Sequence, residues 1–383
     1  MRTLVIAALV LRAAAARAPA AAGAGALYVD DNGPCGGNSP CYPHPQDAVN
    51  AAAPGDTIRV YPGVYGSREY RVAPPHYSNN DIYAPALIVY KDGLTITAVD
   101  PSPAATIIQT THPYWSNPVA IQASTGGQWV GGQYVDAGVN PVFGTAPNAI
   151  SIIASNVTIE GFTVRRPYAA AAGGHDTILI GGLYAGYGRR PGEHLGADGN
   201  TIKACVMDGG GQRARNGVSI WHSTNTLIQN NTIVDPQWSA INLYDGASNA
   251  EVALDPPSTG SRVIGNTVVD NLVTAGLRQG IFVGAWNTQP TPAWTDNAGT
   301  RVHANDFGGL NVVVGYSLGE KRFAGNRAVD QYLVYHASDY FFPPNPDPGQ
   351  AQRVLEQTLL AMNALEVGPP PDFDTSMFPD PVP

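Results

Sequence analysis

A short pattern, apolar-x-x-Asn-x-apolar, recurs through the middle and second half of this chain and limits its fold more than any other feature. It reads Ile228-Gln-Asn-Asn231-Thr-Ile233, Val263-Ile-Gly-Asn266-Thr-Val268, Val302-His-Ala-Asn305-Asp-Phe307 and Phe323-Ala-Gly-Asn326-Arg-Ala328. Two earlier copies, Ile159-Glu-Gly-Phe162-Thr-Val164 and Ile202-Lys-Ala-Cys205-Val-Met207, put another residue where the asparagine stands. From Cys205 onward the column positions are separated by 26, 35, 39 and 21 residues, as expected of a short coil that carries insertions. Self-similarity at this period predicts a solenoid, in which no unit buries its apolar face alone and each must stack on the next. Stacked strands sit about 4.8 Å apart, so a residue repeated once per coil forms a column. An inward asparagine in such a column can bond turn backbone and the next asparagine together, because its amide offers donors and an acceptor. The asparagine register is read as a structural ladder.

A second strand family lies between these repeats. Val218-Ser-Ile-Trp-His222, Ile241-Asn-Leu-Tyr-Asp245, Ile281-Phe-Val-Gly-Ala285, Val312-Val-Val-Gly-Tyr316 and Leu333-Val-Tyr-His-Ala337 align as equivalent positions. Period-two alternation sends Val218, Ile220, Ile241, Leu243, Ile281 and Val283 inward. Ser219, Trp221, Asn242 and Tyr244 then turn outward, with His222 and Asp245 at the strand ends as neighbours one coil apart. The longer insertions are Pro113 to Val142, Gly181 to Gly199, Ala247 to Gly260 and Asn287 to Gly299, and a binding groove is expected beside them.

The chain of 383 residues is 44% hydrophobic and 13% charged, with 43 Gly and 33 Pro, which is a turn-rich β composition and not a disordered one. One long domain is expected, since a solenoid grows along its axis without enlarging a globular core. Met1-Arg2, the apolar run Leu4 to Leu11 and the small residues Ala24-Gly25-Ala26 have the order of a secretory signal, with cleavage after Ala26 or, second, at Ala18-Pro19-Ala20. The apolar run is too short to span a bilayer. Loss of Arg2, Arg12 and Arg17 with the signal takes the formal charge from −9 to −12, which argues against nucleic-acid partners. Cys35 and Cys41 are expected to pair in an exported protein, and Cys205 to be a buried free thiol. Pro45 to Ala53 reads as a short helix capping the open end, with Ala48, Val49, Ala52 and Ala53 on one face. Gln350 to Leu365 reads as a second helix after a Pro-rich linker, and Gly368 to Pro383 as a disordered tail. The predicted organisation is a signal at 1–26, a solenoid at 27–340, and linker, helix and tail at 341–383.

The run Leu27 to Tyr65, with the asparagine register behind it, resembles the N-terminal cap and coils of right-handed parallel β-helix proteins, the pectin-lyase-like superfamily. The resemblance covers roughly residues 27 to 340 and implies an all-β, single-stranded right-handed parallel β-helix. It implies no single activity, because this fold carries lyases, hydrolases, epimerases and non-enzymatic surface proteins. The Asn-Thr-Asp, Asp-Asp and Gly-His-Gly set of polygalacturonase-type hydrolases is absent, and Asp30-Asp31 falls in the cap. The Asp-Pro-His pattern of alginate epimerases is absent as well.

Three constellations could carry chemistry. His222 beside Asp245 would make a proton carrier, the carboxylate orienting the ring, with Trp221, Tyr244, Trp286 and Tyr316 as flat faces for sugar rings and Asn242 as a polar contact. The alternative is a solvated pair that ends two strands. Asp208, Asp235, Asp270 and Asp330 follow the repeat strands, at the turn that in this superfamily leads into the strand on which active sites are built. Such carboxylates could bind Ca²⁺ or divide acid and base roles, or simply close turns through their own side chains. The arginines Arg189, Arg190, Arg213, Arg215 and Arg278 form the third set, of which Arg213 and Arg215, just before Trp221, suit the carboxylate of an acidic sugar. Lys203 and Lys321 are expected to be structural or solvated. The expected protein is an exported, monomeric, carbohydrate-active β-helix that binds and cleaves a polysaccharide, either by elimination with His222 or a nearby arginine such as Arg215 as base, or by hydrolysis with two of Asp208, Asp235 and Asp245 as acid and base. Its rival is a non-catalytic surface or adhesion module.

Overall fold

The computed structural model describes residues 25–66, 86–110, 148–166, 176–181, 197–209, 216–244, 258–271, 279–284, 295–315, 317–328 and 331–334, with short strands also at 121–122, 128–130, 133–135, 140–141, 358–361 and 366–367. Strands stack in parallel into three long sheets of eleven, six and nine members, called here sheets I, II and III. Each coil visits them in that order: Thr201–Lys203, Val206–Asp208 and Asn216–Trp221 form one turn of the solenoid, and Leu227–Gln229, Thr232–Val234 and Ser239–Tyr244 the next. The molecule is a single-stranded right-handed parallel β-helix, with the hand that parallel crossovers adopt.

Inside, like residues stack on like. Ile58, Ile96, Ile159, Ile202, Ile228, Val263, Val302 and Phe323 form one fully buried column along sheet I. The sheet I to II corner takes two residues. The first adopts a positive φ at Ala204, Asn230, Gly265, Ala304 and Gly325, and the second is the ladder position. Asn231 Nδ2 donates to Asn266 Oδ1 at 2.9 Å, Asn266 to Asn305 at 2.9 Å and Asn305 to Asn326 at 2.8 Å. Each Oδ1 also accepts the backbone N–H of the preceding column member, as in Asn231 N to Asn266 Oδ1 at 3.0 Å. Cys205 joins the column through its N–H to Asn231 Oδ1, and burial pushes its thiol up to about 11.

The N-terminal end is closed against all three sheets. Ala26–Val29 and Cys41–Tyr42 extend sheet I beyond Thr57–Val60. The helix Pro45–Ala51 lies over the opening with Ala48, Val49 and Ala52 buried, while Ala53 is exposed. Its N-cap is His44, whose Nδ1 accepts from Gln46 N at 3.1 Å. That leaves the proton on Nε2, which donates to Gly66 O on the first strand of sheet II at 2.7 Å. Gln46 acts as a strand neighbour for the edge of sheet III: its Oε1 accepts from Ile88 N at 2.8 Å and its Nε2 donates to Ile88 O at 3.1 Å. Cys35 and Cys41 are disulfide-bonded, with Cα atoms 5.9 Å apart.

Three expectations are corrected. Within the helix expected at Gln350 to Leu365, Thr358–Ala361 is a strand paired with Lys321–Ala324, and Glu366–Val367 pairs with sheet III. The apolar residues fit a helical stripe, but the open edge of sheet I offers unpaired backbone groups that favour a strand. Second, Leu333 stands opposite Val314 and not Val312. A two-residue slip leaves the same side chains inward, so alternation cannot choose between these registers. Third, the outward face of sheet III is buried, with Ile88, Ser151, Leu179, Ser219, Asn242, Phe282 and Val313 all shielded. The first insertion contains nested antiparallel pairs, Gln128–Val130 with Gln133–Val135 and Ile121–Gln122 with Asn140–Pro141. In the sequence, the Gly-Gly pair between Gln128–Val130 and Gln133–Val135 is a hairpin signal.

Candidate functional site at the edge between sheets II and III

The strands of sheet III separate the residues expected to act together. His222 directly follows Asn216–Trp221, whereas Asp208 ends the sheet II strand before it, and Asp235 lies in the turn that leads into Ser239–Tyr244. A six-residue strand is about 20 Å long, so His222 and the two aspartates occupy opposite edges of sheet III. His222 is also 4% exposed and adopts φ 48°, so it does not stand in an open groove. Trp221 beside it is half-buried and pairs in register with Tyr244 and Gly181. Asn242, expected at the surface, is 6% exposed. Asp245, Arg213, Arg215, Trp286 and Tyr316 lie outside the described residues, as do the Tyr244 side chain, Asp330, Arg189, Arg190 and Arg278.

The opposite edge holds a compact charged cluster. Arg165 and Asp208 are opposite each other in sheet II, and Arg165 Nε donates to Asp208 Oδ2 at 3.1 Å with both side chains partly exposed. One coil further, Asp235 follows Val234, the register partner of Asp208. It has a positive φ of 51°, is 9% exposed, and its Oδ1 accepts Asn271 N at 2.6 Å. It therefore ties two coils together, a role wider than the closing of its own turn. The same turn, Asp235-Pro-Gln-Trp238, brings a half-buried tryptophan to this edge. Lys203 pairs with Glu160 at 3.1 Å, and Lys321 is buried with Nζ donating to Ser317 O and Gly319 O, both structural placements.

Beneath lies a second polar ladder that the repeat pattern did not reveal. Asn148, Asp176, Asn216, Ser239, Gln279 and Asn311 occupy one column at the start of the sheet III strands, all buried. Asp176 N donates to Asn148 Oδ1 at 2.9 Å, Asn216 Nδ2 to Asp176 Oδ1 at 2.7 Å, Ser239 N to Asn216 Oδ1 at 3.1 Å and Ser239 Oγ to Gln279 Oε1 at 2.6 Å. The signal was present as polar-small-apolar starts: Asn148-Ala-Ile, Asp176-Thr-Ile, Asn216-Gly-Val, Ser239-Ala-Ile and Gln279-Gly-Ile. Gly217 is forced, since a Cβ there would meet Ile233 Cγ2 at 2.5 Å and Ala240 O at 2.6 Å. Arg166, 2% exposed, completes the cluster and was also missed. Burial pushes its guanidinium down to about 10, opposed by the Asp176 carboxylate.

Chemically, this edge offers two carboxylates one coil apart, a guanidinium that orients one of them, and an indole. Among the described residues no group of three or more His, Cys, Asp or Glu gathers to hold a metal ion, and Asp208 has Arg165 where Ca²⁺ was considered.

The architecture is that of pectin-lyase-like proteins. No protein-family description and no curated sequence matches the chain. Among solved structures it is similar to an alginate lyase from Paenibacillus sp. (12% identity, 85% of this chain and 96% of that one, TM-score 0.36). It is also similar to the pectin methylesterase PemA from Erwinia chrysanthemi (12%, 79% and 89%, TM-score 0.34) and to the Streptococcus pneumoniae surface protein and adhesin PfbA (12%, 76% and 86%, TM-score 0.34). These three differ in activity, and a shared fold does not choose among them.

Proposed function

We propose that the protein is an exported carbohydrate-active β-helix that binds an extended polysaccharide along the edge between sheets II and III and hydrolyses it. The observation that carries this reading is the Arg165–Asp208 pair at 3.1 Å with Asp235 one coil away. In this reading Asp208 and Asp235 take the general acid and general base roles, and Trp238 supplies an apolar face for a sugar ring. Elimination is less well supported, because of the two bases considered for it His222 is shielded and lies at the far edge of sheet III, and Arg215 lies outside the described residues. Export is supported by the signal-like N-terminus and by the disulfide, which persists in oxidising compartments. Gly25 N bonds Asp56 Oδ1 at 2.7 Å and Ala26 pairs with Thr57, so cleavage at Ala18 to Ala20 preserves the first strand better than cleavage after Ala26. Among the described residues no helix is long and apolar enough to cross a membrane.

The test is turnover on a panel of neutral and acidic polysaccharides, followed both by new reducing ends and by the absorbance of unsaturated products. The expected result is reducing ends without unsaturated product, and a loss of about 100-fold or more in Asp208→Asn and Asp235→Asn. Full activity in both variants would sink the assignment, and unsaturated product would replace hydrolysis by elimination. A second reading, a non-catalytic glycan-binding module, is favoured by the structural bonds that Asp208 and Asp235 already make; it predicts binding without turnover.

A further inference from the structure

The outward face of sheet I carries a charge arrangement that the fold itself does not use. Arg262, Arg301 and Arg322 are register partners on three successive strands, and all three are exposed. In-register parallel strands place them about 4.8 Å apart in a line along the solenoid axis. Among the described residues, none of the three guanidinium groups makes a hydrogen bond or an ion pair. Like charges directly opposite one another on a sheet are destabilising. Earlier coils avoid this: the same column holds Thr57, Thr95, Thr158, Thr201 and Leu227. The neighbouring column pairs Lys203 with Glu160 at 3.1 Å, and on sheet II Arg327 is matched to Asp306 at 2.8 Å. Three stacked, exposed guanidinium groups with no ion pair among the described residues therefore present a cationic line on a chain of net charge −9, open to a counter-charge from outside.

We propose that this column is a docking surface for a linear carboxylated polysaccharide lying along the solenoid axis, its sugar carboxylates meeting the guanidinium groups. The forked donors of arginine match carboxylate geometry. A chain of uronic acid sugars carries one carboxylate per ring and so offers a line of carboxylates to the line of guanidinium groups. Nucleic acid fits less well, because its charges fall every ~3.4 Å along a strand and the rest of this protein is acidic. Two residues beyond Arg262 and Arg301 on the same face, half-buried Ile264 and His303 border the line and add surface for sugar rings. The surface is separate from the edge between sheets II and III and does not depend on hydrolysis there. It would hold an acidic polymer to the molecule whichever bond is cut.

The experiment is binding of the full chain to polygalacturonate, to the same polymer after full methyl esterification, to oligo(dT) and to dextran sulfate, at low and high salt. Polygalacturonate should bind, weaken with salt, and lose about tenfold in affinity in the triple variant Arg262→Gln, Arg301→Gln, Arg322→Gln, which should also show a shallower salt dependence. The triple variant should keep the reducing-end turnover of wild type on neutral polysaccharides, so failure of this surface and failure of the hydrolytic site are distinguishable. The triple variant should melt at the same temperature or higher without polymer, since repulsion is relieved. The proposal is overturned if wild type does not bind, if the esterified polymer binds equally, or if the triple variant binds as wild type. It is also overturned by tighter binding of oligo(dT) or dextran sulfate, by self-association that the triple variant abolishes, or by a fall of the triple variant's melting temperature that shows a structural role.

Discussion

Asn266 shows how much one residue carries in this molecule. Its Oδ1 accepts Asn231 N and Nδ2, and its Nδ2 donates to Asn305 Oδ1 and Ile228 O at 2.9 and 3.0 Å, all at a buried site. Asn266→Ala would leave several of these groups without partners in the interior, and a destabilisation of about 3 kcal/mol or more is expected from denaturant melts. A loss below about 1 kcal/mol would show that water replaces the amide. The ladder was legible because asparagine is rarely repeated at strand corners by accident, and its amide chemistry names its own role. His222 was not legible. Alternation fixed that it ends a strand, but whether a strand-end histidine is exposed depends on what packs over it, and the structure shields it. Arg166 escaped notice for the mirror reason: nothing in the sequence sets it apart from Arg165, yet it is buried beside Asp176 while Arg165 stays partly exposed.

At the scale of elements, the N-terminal cap is where composition and geometry agree best. Pro45 at the helix start and the apolar stripe Ala48, Val49 and Ala52 were sufficient to place the helix over the solenoid end. Gln46 could not be read as a surrogate strand neighbour, since its partner Ile88 lies 42 residues away. The Cys35–Cys41 bond closes a short loop beside the first strand of sheet I. Because a short loop loses little entropy on closure, replacing both cysteines by serine is expected to cost only about 2 kcal/mol, measured by thermal or denaturant unfolding. A loss twice as large would mean that the bond also supports the packing of Cys41–Tyr42 against Ala26–Val29. The C-terminal segment shows the reverse case. Its apolar spacing suited a helix, and the strand Thr358–Ala361 forms where sheet I presents an unpaired edge.

For the whole molecule, stability is a sum over coils and the contacts between neighbouring coils, so the ends are its weakest points. Removal of residues 25–54 would uncover the starting edges of all three sheets at once, the edges now met by Ala26–Val29, His44 and Gln46. Such a truncated chain is expected to associate with concentration, measured by sedimentation velocity. A monodisperse monomer would show that the inner coils protect their own edges.

The sequence by itself determined the solenoid, its coil length, the asparagine column, the disulfide and the capping helix. All of these follow from local periodicity or from side-chain chemistry repeated at one position. What only the tertiary structure decided is which strand ends share an edge. The wrap of each coil carries Asp208 and Asp235 to one side of sheet III and His222 to the other, and it stacks Arg262, Arg301 and Arg322 in one exposed line. Such neighbours come from different coils with insertions of unequal length between them, so their spacing in the chain does not reveal their spacing in the molecule.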